Sequence, residues 1–144
     1  MKAFVAAIAV ALSLFAVAAQ SRDDRLHFPI KDAMETAAAS GKLDKDVKFF
    51  FGDQAYPKAA QKFGTFTSNK KTNFFNKSDK EACEWAFLSA ILALQSRAKA
   101  EGGNAVVGIF SIYRNVEFKS DTEYECGAGN VTGGVALRGT VAKL

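Results

Sequence analysis

Few side chains in this sequence carry the chemistry of a reactive centre, and those few are scattered. His27 is the only histidine. A Ser-His-Asp or Cys-His apparatus would have to use it, and no nucleophile signature accompanies it. It falls in a polar stretch near the chain start and reads as a surface residue of a leader segment. Cys83 and Cys126 are the only cysteines. Together with His27 they are too dispersed for a recognisable metal-ligand spacing, so no metal site is expected. Glu81, Glu84, Glu123 and Glu125 could supply a carboxylate pair for general acid–base work, but such a pair needs burial. Charged helix and strand faces are the plainer reading. No catalytic residue and no cofactor are assigned, and the chain reads as non-enzymatic.

Binding chemistry is concentrated in Asn69-Lys70-Lys71-Thr72-Asn73-Phe74-Phe75-Asn76-Lys77. Lys70, Lys71 and Lys77 interleave with Phe74 and Phe75, a combination that offers charge and stacking to an anionic surface or a partner. This is the candidate interaction loop. Its competing explanation is a solvated connector whose phenylalanines tuck back ahead of a capped helix. Gly127 to Gly134 is glycine-rich but precedes a strand, so it reads as a hairpin turn and not as an anion cradle at a helix start.

The elements that must position these residues follow from periodicity. Ser21 to Arg25 reads as a frayed polar leader. Pro29 then starts a short helix, Ile30 to Gly41, with Gly41 as its stop. Val47 to Phe51 is a strand with Val47, Phe49 and Phe51 on one face and Lys48 and Phe50 on the other. Gly64 to Ser68 reads as a more exposed strand. Ser78-Asp79-Lys80-Glu81 is a capping box, and the helix behind it is apolar nearly all round from Ala82 to Leu94. It emerges into solvent from Gln95 and stops at Gly102-Gly103. Strands at 105–113, 123–126 and 135–141 complete the order. The expected fold class is therefore α+β: a mixed or antiparallel sheet of about five strands packed on one long helix, plus a short N-terminal helix.

Met1-Lys2, an uncharged apolar run to Val17, small residues at 16–19 and the charge cluster Arg22-Asp23-Asp24-Arg25 have the layout of a cleavable secretory signal. Residues 1–19 are read as that signal and 20–144 as a single domain of about 125 residues. The apolar run is short for a spanning helix, which needs roughly 20 residues, so no stable membrane insertion is expected after cleavage. Export places the protein in the periplasm or outside the cell. There, an oxidising environment favours a Cys83–Cys126 bridge over two separate buried thiols. Such a bridge would close a loop of about 43 residues and stabilise by roughly 4 kcal/mol in the chain-entropy model. Lys2 leaves with the signal, so the excess of 19 basic over 15 acidic residues falls to three. That is too mild for a nucleic-acid-binding face.

Cys83, Gly102-Gly103-Asn104-Ala105-Val106-Val107, Cys126 and Gly134-Val135-Ala136-Leu137-Arg138-Gly139 resemble a family of small exported bacterial proteins often labelled excinuclease ATPase subunit. From about Ser78 to Val141 the chain is distantly similar to the Rcs-pathway stress sensor (RcsF-like) and to YbjQ-like domains. The resemblance implies a compact sensor-like or binding module of the envelope. The ATPase label itself fails on chemistry. No Gly-x-x-x-x-Gly-Lys-Ser/Thr loop is present to cradle phosphate, and two isolated cysteines cannot build a zinc cluster. The lipid anchor and second disulfide of the stress sensor have no counterpart here. The expected role is an exported non-enzymatic binding domain acting on an envelope protein. A small carboxylate-using hydrolase or a ligand or metal carrier are the alternatives.

Overall fold

The structure is a computed structural model that describes residues 22–144. The expected signal, residues 1–19, lies outside the described residues. From Asp24 the chain is not a frayed leader. Asp24–Pro29 forms strand β1, with Arg25 and His27 on one face and Leu26 and Phe28 on the other. Leu26 and Phe28 pack on the core, and a partner strand takes up the backbone hydrogen bonds. Those two gains outweigh a charge-rich composition that by itself disfavours a strand. Pro29, with φ fixed at −62°, then leads into α1, Ile30–Ala39, which buries Ile30, Ala33 and Ala37.

Strand β2 is Lys48–Phe51. Val47 and Phe51 enter the main core while Phe50 joins a smaller cluster on the opposite face, as the period-two alternation requires. Strand β3, Gln61–Asn73, is much longer than the expected five residues. Asn69 to Asn73, read from sequence as loop, continue the strand because each has a partner on the last strand, β6, Thr132–Lys143. Polar side chains do not prevent pairing when only one face must be dry.

Helix α2, Asp79–Glu101, is punctuated at both ends by its own residues. The Glu81 N–H donates to Ser78 Oγ at 3.1 Å. At the other end Gly102 takes φ +83°, and the Gly103 N–H returns to the Ala98 carbonyl at 2.8 Å. Phe87, Ile91 and Leu94 are fully buried, while Trp85 is half exposed. Gln95 is buried too, contrary to the expectation that the helix meets solvent there. Its Oε1 accepts from the Asp44 N–H at 2.8 Å and its Nε2 donates to the Lys42 carbonyl at 3.1 Å, clasping the loop after α1. A buried amide is tolerated when both its ends are satisfied in this way.

With β4, Ala105–Ser111, and β5, Glu123–Ala128, the described residues form an α+β fold: a curled mixed sheet of six strands, against about five expected, and two helices. The order is β1-β5-β6-β4-β2, with β3 on the other edge of β6. Only β2 and β4 are parallel. Gly108, at φ +61°, inserts one extra residue in β4. The same insertion appears as a register shift against β2 and against β6. A glycine bulge of this kind bends and twists its strand, which helps the sheet curl. Cys83 of α2 and Cys126 of β5 form a disulfide, with Cα atoms 5.9 Å apart and both residues fully buried. In the same core Phe51 stacks on Phe87, ring centroids 5.9 Å apart, and Phe87 meets Tyr124 at a 45° tilt, centroids 4.6 Å apart.

Candidate functional site

The β1–β5 register sets His27 opposite Glu125. His27 Nε2 lies 3.0 Å from Glu125 Oε2, and Arg25 Nη1 donates to Glu125 Oε1 at 2.6 Å. Glu125 is only 4 % exposed, and a carboxyl group that deep needs hydrogen-bond partners, which Arg25 and His27 supply. The His27 ring also stacks on Phe118 with centroids 4.0 Å apart. This corrects the reading of His27 as a loose leader residue. The signal was available: Arg25 and His27 in one segment, and Glu123 and Glu125 in another, both repeat at period two. Chemically the group is a tether. The hydroxyl at hand, Ser111 Oγ, accepts from the Glu125 backbone N–H at 2.9 Å and is itself buried. Among the described residues no Ser, Thr or Cys hydrogen-bonds the imidazole as a nucleophile would.

The other carboxylates singled out from the sequence go elsewhere. Glu81 and Glu84 line an open groove between α1 and α2 with Asp32 and Glu35. Lys80 pairs with Asp32 at 2.7 Å, and the Thr36 hydroxyl donates to Glu84 at 2.7 Å. The hydrogen bond to Asp32 holds the Lys80 ammonium above its ordinary value. Beneath this groove, burial and then the charges of Glu84 and Asp32 push the Tyr124 phenol up, so it stays protonated at any physiological pH. Among the described residues no three His, Cys, Asp or Glu side chains converge as metal ligands.

The expected interaction loop divides. Lys70 and Lys71 are exposed residues of β3, Phe74 is buried, and Phe75 is 64 % exposed. Lys77 donates to the Asn73 carbonyl at 3.0 Å. Phe74 turns inward because its ring lies over Gly133, where a Cβ would meet it at 2.6 Å. Its own N–H donates to the Val131 carbonyl at 2.6 Å. That bond joins the loop to the β5–β6 turn, whose Val131 is 60 % exposed. Phe75 and Val131 are both large apolar side chains left in water, the kind of exposure that calls for an explanation when it clusters.

At Val131 a cavity of about 420 Å³ opens between the glycine-rich turn, Lys71 and the Tyr113–Asn115 turn. Arg114 (φ +51°) and Asn115 (φ +60°) are both left-handed there, a conformation that costs non-glycine residues energy. The Arg25 and Arg114 guanidinium carbons each lie 5.3 Å from the Tyr113 ring centre. Arg22, also in the wall, forks onto Asp79 at 2.9 and 2.6 Å and reaches Asp24 at 2.7 Å. Arg114 pairs with Asp23 at 2.6 Å. Lys71 has no acidic partner among the described residues. Of the three cations in the cavity wall, Arg22 and Arg114 are thus held by Asp79, Asp24 and Asp23, and Lys71 is the one left to meet an anionic group brought to it. Compared with protein-family models, with curated proteins and with solved structures, the chain matches none.

Proposed function

We propose that this chain is an exported, non-enzymatic binding domain of the bacterial envelope that recognises an acidic patch on an envelope protein. The reading rests on one observation: exposed Val131 lines a cavity whose Lys71 has no acidic partner among the described residues, and exposed Phe75 stands on the loop hydrogen-bonded to Val131. Apolar anchors beside uncompensated charge are what a protein interface offers its partner before binding. The sheet, with the long helix packed on it and the short N-terminal helix alongside, serves as the scaffold. The Cys83–Cys126 disulfide supports an oxidising location, periplasmic or secreted. The resemblance to small exported sensor-like proteins points the same way, as does the mild net charge, which disfavours nucleic acid.

Photo-crosslinking in cells from positions 71, 75 and 131 tests the reading. The expected result is one recurrent envelope protein, lost when Lys71→Glu or Phe75→Ala is introduced. Adducts that are absent, or indifferent to both substitutions, would refute it.

A further inference from the structure

A second surface, independent of the cavity at Val131, runs along β3. The strand pairs with β6 over its whole length and has no neighbour on its other edge among the described residues. Every second residue of such an edge turns its N–H and C=O away from the sheet, unpaired. A groove of about 430 Å³ follows that edge, walled by the consecutive residues 65–70 on one side and by Ala93, Leu94 and Arg97 of α2 on the other. Consecutive strand residues can line one groove only where it runs along the edge, because side chains alone would alternate faces.

Two observations point to an occupant. Ser68 is 6 % exposed, and its Oγ has no hydrogen-bond partner among the described residues. Orphaned buried hydroxyls are uncommon and costly, so a native structure that keeps one calls for an account of it. The second observation is charge. The charged residues of β3 and β6 are Lys62, Lys70, Lys71, Arg138 and Lys143, and none is acidic. Arg97, 3.5 Å from Glu101, adds a guanidinium above the Phe66 ring, 4.7 Å from its centre, at the groove wall.

We infer that the open edge of β3 and its groove beneath Arg97 accept an extended acidic polypeptide segment as an added strand. Main-chain hydrogen bonds to the edge supply affinity, and alternate side chains of the guest enter the groove. Its carboxylates meet Lys70 and Arg97, and a guest donor or acceptor satisfies Ser68 Oγ. A second copy of the chain is a poor occupant. Antiparallel self-pairing about Phe66 would set Lys62 opposite Lys70, like charges facing across the ladder. An open amide edge with a buried hydroxyl also suits a polypeptide better than a nucleic acid strand, which lacks the matching backbone.

Selection of a displayed random decapeptide library on the purified, disulfide-bonded protein provides the test. The expected outcome is enrichment of acidic sequences with alternating apolar positions. A selected peptide should protect the amides of residues 61–73 from hydrogen exchange and lose at least tenfold in affinity on N-methylation of alternate residues. Lys70→Glu and Arg97→Glu should weaken it at least tenfold, with thermal unfolding confirming that both variants are folded. Ser68→Ala should weaken it severalfold without lowering Tm. Four outcomes would overturn the inference. They are no enrichment, enrichment without acidic bias, binding that survives N-methylation, and a dimer in light scattering that dissociates on Arg97→Glu. Salt-sensitive capture of a single-stranded oligonucleotide in place of peptides would do the same.

Discussion

Strands β5 and β3 lie in one sheet and both pair with β6, yet their environments are opposite. In β5 every residue from Tyr124 to Ala128 is buried. In β3, twice as long, only Ser68 is. Residue type alone does not explain this, since β3 holds Phe63 and Phe66 while β5 holds two glutamates. The difference is in what lies around each strand. Strand β5 has β1 and β6 as neighbours, a disulfide to α2, and the Tyr113 ring against Gly127. Strand β3 has α2 against one face but a single strand neighbour and, among the described residues, an open edge. Burial here follows pairing on both edges, and the strand with one free edge is where hydrogen-bonding capacity is left over for a partner.

The largest test of that contrast is removal of the bridge. A Cys83→Ala/Cys126→Ala double variant should lose about 4 kcal/mol, because the sequence separation of 43 residues no longer constrains the unfolded chain. Urea titration at equilibrium measures it, and a loss below 1 kcal/mol would mean that packing alone holds β5 to α2. Next comes Gly139→Ala on β6, the strand that both regions share. A Cβ there would meet Val106 Cγ1 at 2.7 Å and Ile109 Cγ1 at 2.9 Å, so overpacking should cost about 1–3 kcal/mol in the same assay.

A smaller effect is expected from acid. The Arg22 guanidinium holds the Asp79 carboxyl below its ordinary value of 3.8, and Lys99 does the same for Asp44. A depressed native value means that the unfolded chain binds protons first on acidification. The stabilisation is thus complete above about pH 4 and fades as pH falls through the lower native value. Asp79→Asn should be less stable than the parent at neutral pH, and the gap should close in acid. The gap should be modest, because the pair is partly exposed and screened by salt. Smallest of all, Lys70→Glu on the open edge should shift stability by no more than about 0.5 kcal/mol, since the side chain touches no core group. A large loss by thermal unfolding would show that the β3 edge does structural work.

Local signals in the sequence located the elements whose limits are set by their own residues. Ser78 and Gly102 bound α2 because capping chemistry is local, and the alternation around Phe49 sorts β2 between two clusters. Boundaries set by partners were not legible. Residues 69–73 became strand through pairing with residues 132–136 of β6, far along the chain, and β1 formed only because β5 accepts it. At the candidate site the charged and aromatic residues of 70–77 were visible, but not their division into a buried Phe74 and an exposed Phe75. That split depends on Gly133 offering a flat surface from a distant turn.

By itself, then, the sequence determined the α+β class, the caps and periods of its main elements, and the one intramolecular pairing open to its two cysteines. Those properties depend on neighbours within a few residues or on simple counting. The tertiary structure alone decided that His27 meets Glu125 and that, among the described residues, Ser68 is buried without a partner and β3 keeps a free edge. Each of these is a relation between segments far apart in the chain. Side-chain chemistry limits such relations, but only the closing of the sheet selects among them.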